Sequence, residues 1–259
     1  DQVVTKKTTI YKYVSAEDLD LILNNKNLKF SIAKRFNDPF DCYPELISFN
    51  VTESFLTSHI EKGILVLEGE EPNMPLKDLI PHVQSKYYNH SNTDINALFE
   101  IILNKYRFSC FSLTNKQILM WSHYANKHTG ACIGFNVSEL MKIRGIIALK
   151  VNYTQEFDKS DMCKDELAAI QHLFSTKSIQ WDYEEEIRLL TTPEKADEMD
   201  SEGLMPFSTS AVSEVYFGCQ YESNTQLKKL NFERIGYEHV KFKRMLKSKR
   251  SFELESINI

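Results

Sequence analysis

The sequence predicts an α+β fold: a mixed sheet with helices set between its strands, and a mostly helical insertion at about residues 52–106. Two observations carry this. Segments with apolar alternation of period two recur from end to end, and helix-type segments separate them at uneven intervals. Between residues 52 and 106 the mixture gives way to helical periodicity, broken by a polar connector at 68–75. No repeat, low-complexity tract or evident linker divides the chain, so one domain over residues 1–259 is expected.

Residues 9–14 read as the first strand. Ser15 then supplies an N-cap oxygen, and Glu17 and Asp18 an acidic first turn, for a helix to about residue 24. A short strand at 28–31 leads into a loop at 35–41. There Asn37 and Asp38 are turn formers, and Pro39 pushes Asp38 out of the helical region. After the insertion, residues 106–113 alternate as a strand, 115–126 form a helix carrying Met120, Trp121, His123 and Tyr124, and 131–137 and 149–153 are strands. An amphipathic helix at 161–175 precedes a strand at 181–190. A strand at 212–217 stops at Gly218, a helix spans 223–235, and a hairpin of 239–245 with 250–254 closes the chain.

Composition narrows the class. Hydrophobic residues make up 42% and charged residues 26%, as in ordinary globular proteins able to build a sizeable core. Thirty-one basic against thirty-six acidic residues give a net −5, which does not suggest a protein devoted to nucleic acid or anionic membrane. No apolar run approaches the roughly 20 residues of a transmembrane helix, and no basic-then-apolar leader opens the sequence. Cys42, Cys110, Cys132, Cys163 and Cys219 are scattered, odd in number and without a CxxC pair, which favours a reduced, cytoplasmic home without membrane contact. The sequence opens on Asp1 rather than Met, so the natural chain is expected to extend before it.

The chemistry concentrates at residues 181–190, where four acids and an arginine interrupt a strand-like segment. With period two, Trp181, Tyr183, Glu185, Ile187 and Leu189 share one face, and Asp182, Glu184, Glu186 and Arg188 the other. Carboxylates beside an aromatic face are costly unless paired or used. The bland alternative is an exposed edge strand, or a helix start with a Glu184/Arg188 pair at i, i+4. Two other clusters set polar groups among aromatics: the loop Phe36 to Asp41 and the helix Trp121 to Tyr124. Each has a plain explanation, as turn chemistry or as core plus surface. Together they suggest one concave site. Cys110, His123, His128 and Cys132 match no zinc-finger spacing, so no metal site is expected.

Several of these stretches occur in one order: Phe36-Asn37-Asp38-Pro39-Phe40-Asp41, Met120-Trp121-Ser122-His123-Tyr124-Ala125 and Tyr183-Glu184-Glu185-Glu186-Ile187-Arg188. With Tyr11-Lys12-Tyr13, Cys110-Phe111-Ser112 and the 130–135 segment, they resemble the bacterial family called domain of unknown function 2971 over nearly the whole chain. More distantly, Tyr13-Val14-Ser15, the helix ending Ile22-Leu23-Asn24-Asn25 and then Leu28 are similar to the opening of ADP-ribosyltransferase folds, with Tyr13 standing where His is common. Ser112 or Tyr124, and then Glu184 or Glu186, fall in the order of the later polar contact and the final glutamate.

That second resemblance implies a strongly bent mixed sheet and an ADP-ribosyltransferase-like enzyme, or an NAD-binding relative, of the kind used in bacterial anti-phage defence or toxin systems. It implies NAD as substrate, with a protein or nucleic-acid acceptor. Glu186 is the first choice for the ribose-binding carboxylate, with Glu184 in reserve and His123 beside them. Tyr13, Trp121 and Tyr124 would stack on the rings, Ser15, Asn37, Asp38 and Ser112 would orient the nucleotide, and Arg188 would pair an acid or bind pyrophosphate.

Two alternatives remain open. One is a metal-dependent nuclease, with Asp38 or Asp41 joining Glu186 around Mg²⁺ and Arg188 standing where a lysine is usual, a poor substitute because a guanidinium keeps its proton. The other is a non-catalytic nucleotide or nucleic-acid binding module using the basic run Lys241, Lys243, Arg244, Lys247, Lys249 and Arg250, whose plainer reading is a solvated hairpin.

Overall fold

The computed structural model describes residues 8–88 and 93–259; residues 1–7 of the expected domain and 89–92 of the expected insertion lie outside them. The chain divides into two compact units. The first holds the residues up to Ile32, Lys105–Val151 and Gln180–Ile259, and the second Ala33–Asn104 and Asn152–Ile179. Among the described residues no helix is long and apolar enough to cross a membrane.

The first unit is built on a mixed sheet of eight strands: β1 Thr9–Val14, β2 Phe108–Ser112, β3 Ala131–Asn136, β4 Ile146–Lys150, β5 Glu186–Thr191, β6 Val212–Phe217, β7 Lys241–Lys247 and β8 Leu254–Asn258. Their order is β8-β7-β6-β3-β1-β2-β5-β4. Every neighbouring pair is antiparallel except β6 and β7, which run parallel. A parallel pair cannot be closed by a tight turn. The chain accordingly crosses between them through the helix Thr225–Phe232.

Both faces of this sheet are covered, which is why β5 is buried at all six positions rather than alternating. One face carries Ile10, Phe111, Ile133, Ile187, Val215 and Phe217 into the main core, where the helix Ala16–Asn25 adds Leu19 and Leu23. Ser15 caps that helix as expected, accepting from Asp18 N. The other face presents Tyr13, Cys132, Tyr216 and Met245 to Met120 and Trp121 of the helix Ile118–His123.

Two expectations about strands need correction. Residues 149–153 are not one strand: β4 ends at Lys150, Val151 N still donates to Glu186 O, and Asn152–Thr154 pairs in parallel with Thr176–Ser178 in the second unit. Residues 181–190 are not one strand either. Ile179–Glu184 is a 3₁₀ turn, and the strand begins only at Glu186. The closing hairpin lies further toward the C-terminus than expected, with Lys241–Lys247 and Leu254–Asn258 as its arms.

Two backbone approaches lock the turn after the helix Ile118–His123. Gly218 N donates to Gly130 O at 2.9 Å; a Cβ on Gly218 would lie 2.0 Å from His128 O, and one on Gly130 2.1 Å from Val14 O. The partners are backbone and cannot swing away. Gly218→Ala is therefore expected to destabilise the chain by about 1–3 kcal/mol, read from the denaturant midpoint. A wild-type midpoint would refute the close approach.

The second unit is mainly helical: Glu53–Glu61, Leu76–Tyr87, Thr93–Lys105 and Glu166–Ser175, with Thr52 and Asp165 capping the first and last of these through side-chain oxygens. Leu56, Leu65, Leu79 and Val83 form one core of this unit. Glu71 ties its connector together, accepting from Glu68 N at 2.7 Å, Lys86 Nζ at 2.6 Å and His82 Nε2 at 3.0 Å. The Glu68 amide above all, then Lys86, holds its carboxyl down at about 2.

Candidate functional site

Cross-strand partners share a face. Ser112 stands opposite both Tyr11 of β1 and Glu186 of β5, and Cys110 stands opposite Arg188. Tyr11, Tyr13, Cys110, Ser112, Glu186 and Arg188 therefore project to the face that the helix Ile118–His123 covers. Among them is a buried ion pair. Arg188 donates from Nε to Glu186 Oε1 at 3.0 Å and from Nη2 to Oε2 at 3.1 Å, with Arg188 0% and Glu186 4% exposed. Residues i and i+2 on a strand point the same way, and the guanidinium fork matches a carboxylate edge. Burial, with Glu186 adding to it, pushes the Cys110 thiol well above its usual range, so it stays protonated and is no nucleophile.

Glu184 is set apart from this pair by one residue of backbone. Glu185, exposed, has φ +44°, and its carbonyl accepts from Leu113 N at 3.0 Å, which pins the change from turn to strand. A left-handed conformation costs a non-glycine residue about 1–2 kcal/mol, so the fold holds this switch against a local preference. Glu184, 3% exposed, accepts from the Tyr124 hydroxyl through Oε1 at 2.7 Å. A run of rings lies alongside: His123 is 6.3 Å from Tyr124 and 6.5 Å from Tyr183, and Trp181 is 6.1 Å from Tyr183, centroid to centroid. His123 is exposed, while Tyr124, Trp181 and Tyr183 are half-buried.

Four expected ligand contacts are structural instead. Trp121 is fully buried, its Nε1 donating to Asn115 O at 2.8 Å, so its ring has no face to offer. Tyr13 meets it edge-on at 5.3 Å and donates to Thr114 O at 2.8 Å. Ser112 is buried and accepts from Thr114 N at 3.1 Å, and Ser15 is spent on its helix cap. These side chains position the helix and loop that carry His123 and Tyr124.

The signature loop belongs to the second unit. Asp38, 6% exposed, accepts from Phe40 N at 2.9 Å through Oδ1, the turn chemistry its sequence predicts, and its Oδ2 is buried without a hydrogen-bond partner. Asn37 is exposed. Asp41 Oδ2 lies 3.8 Å from Lys177 Nζ, with both side chains 4% exposed or less. Phe40, Tyr43 and Phe157 form a ring triad with centroids 5.6–6.5 Å apart. Phe40, Phe157 and Lys177 line a cavity of about 220 Å³.

Residues 120–189 match the model of the family described as protein of unknown function (DUF2971). No curated protein and no solved structure matches the chain. The DUF2971 stretch contains Trp121, His123, Tyr124, Glu184, Glu186 and Arg188, and so supports the resemblance drawn from the helix and strand motifs; the 36–41 loop falls outside it.

Sequence reasoning missed a second polar group on the same sheet face. Lys243 Nζ donates to Glu214 Oε2 at 3.0 Å and to the Tyr216 hydroxyl at 3.1 Å, while Tyr216 bonds Glu214 and meets the Tyr11 ring at 6.2 Å. Burial, then Glu214, raises the Tyr11 phenol well above its usual value. No local pattern announces this group, because the β6–β7 register alone brings Lys243 beside Glu214 and Tyr216. Among the described residues, no group of three or more His, Cys, Asp or Glu side chains is placed to hold a metal ion.

Proposed function

We propose that the chain is an ADP-ribosyltransferase-like enzyme, or an NAD-binding relative, in which Glu184 rather than Glu186 is the ribose carboxylate. The observation that carries the choice is the division of labour between the two acids. Both oxygens of Glu186 are engaged by Arg188 within the strand, whereas Glu184 ends the preceding turn and accepts from the Tyr124 phenol beside a run of aromatic rings. Cleavage of the bond between nicotinamide and ribose develops positive charge on the sugar. A carboxylate accepting from a ribose hydroxyl stabilises that charge, provided it is already oriented. Tyr124 supplies the orientation. Tyr183 and Trp181 take over the ring-holding role expected of Tyr13 and Trp121, and His123, exposed at the edge of the run, is suited to move a proton to or from the acceptor. Arg188 acts as a positioning residue that anchors the start of β5 and with it the turn ending at Glu184.

The test is nicotinamide release from NAD, and transfer of labelled ADP-ribose to protein and nucleic-acid acceptors in cell extract. Glu184→Gln keeps the shape and the ability to accept from Tyr124, and is expected to lower kcat about 10²-fold or more at matched melting temperature. Tyr124→Phe is expected to show a smaller loss in kcat with KM little changed. Wild-type protein that neither turns NAD over with any acceptor nor binds it in calorimetry would end the transferase reading.

A further inference from the structure

The turn between β7 and β8 borders a cavity of about 530 Å³ lying entirely within the first unit, a volume within the usual range for small-ligand sites. Its lining combines two kinds of chemistry. Lys247, Lys249 and Arg250 bring three exposed cations against the single carboxylate of Glu253, which already accepts from Ser251 Oγ at 3.0 Å. Phe252, 100% exposed, brings a ring with both faces in water, and the half-buried His128 and Cys219 complete the wall. The structure also sorts the basic run of the sequence. Lys243 is committed to Glu214 and Arg244 donates to Tyr221 O at 3.1 Å, so apart from the exposed Lys241 at the start of β7 the rest of the run lies at the hairpin turn.

We infer that this cavity binds single-stranded nucleic acid, with one unstacked base against Phe252 and the flanking phosphates on Lys247, Lys249 and Arg250. A lone exposed ring says little, and so does a basic turn. Together they are the pairing that single strands require: a stacking platform for a base and cations spaced along a backbone. A duplex keeps its bases stacked on one another and cannot offer a face to Phe252. A bilayer surface offers anionic headgroups to the cations but no planar base to stack on Phe252. The inference does not rest on the transferase reading, since binding is measured without NAD.

The experiment is fluorescence anisotropy of a short labelled single strand, with duplex, free mononucleotide and anionic phosphatidylserine vesicles as competitors. Binding is expected to fall with salt at a log–log slope near −2, about 0.7 for each of three phosphate contacts. Phe252→Ala is expected to weaken it about tenfold. Lys249→Ala combined with Arg250→Ala is expected to weaken it and to flatten the slope by about 1.4. All three side chains are exposed, so unchanged melting temperatures should accompany these losses. The inference is overturned by duplex bound as tightly as single strand, by a mononucleotide competing as well as the strand, by capture on vesicles without strand binding, or by wild-type affinity in Phe252→Ala.

Discussion

Arg188→Ala is expected to cost about 3–5 kcal/mol of folding stability, among the largest effects of any single substitution in this chain. The reason is asymmetry rather than the strength of the pair. Taking the guanidinium away leaves the Glu186 carboxylate, 4% exposed, without the two donors that bond its oxygens at 3.0 and 3.1 Å. A carboxylate in that position must then be desolvated without its guanidinium, or take up a proton. Lysine is no substitute, because an ammonium is a point charge and cannot span both oxygens; Arg188→Lys should recover only part of the loss. The decisive measurement is a double-mutant cycle with Glu186→Gln by denaturant unfolding, with a coupling energy of at least about 1 kcal/mol expected. Additive losses would mean that the pair carries no energy of its own. Activity should fall with Arg188→Ala as well, since β5 fixes where the turn ending at Glu184 stands.

Trp121→Ala is expected to cost a similar amount, about 3–5 kcal/mol. The indole is fully buried between the helix Ile118–His123 and the sheet, in a cluster with Tyr13, Cys132, Tyr216 and Met245. Removing it opens a cavity that these side chains, held by their own strands, cannot collapse to fill. It also strips Asn115 O of its donor. Trp121→Phe keeps most of the volume and should lose less than half as much. A loss below about 1 kcal/mol for Trp121→Ala would show that the helix is held by something other than this anchor. On the transferase reading proposed above, stability should move before chemistry: at low denaturant, Trp121→Phe is expected to keep the NAD turnover that Glu184→Gln would lose.

The expectations that came true and those that failed divide along a physical line. Where the cause lies within a few residues, the sequence is enough. Ser15 caps its helix because its oxygen reaches an amide three residues on, and Asp38 turns the chain before Pro39 because its carboxylate reaches Phe40 N two residues on. Strand-type alternation at 9–14, 131–137 and 212–217 becomes β1, β3 and β6 within a residue, since period two survives in any sheet. The α+β class follows from those same segments.

The partnerships of the charged groups were not open to that kind of reading. Period two through residues 181–190 places Glu184, Glu186 and Arg188 on one face and makes Glu184 and Glu186 equivalent. In the structure the left-handed Glu185 ends a 3₁₀ turn and starts a strand, so one acid is locked to Arg188 and the other turns to Tyr124, sixty residues away. Lys177 finds Asp41, and Lys243 finds Glu214, likewise far beyond the reach of any local pattern. Trp121 and Tyr13 read as rings available to a ligand until the sheet closes over both. By itself the sequence determined most of the elements that form, and their ends where a cap or turn residue marks them, because capping, turn chemistry and periodicity act over a few residues. Tertiary structure alone decided which acid meets Arg188 and which ring is buried. Those outcomes depend on strand order and register, and an element's own residues determine the face it presents but not the neighbour that face will meet.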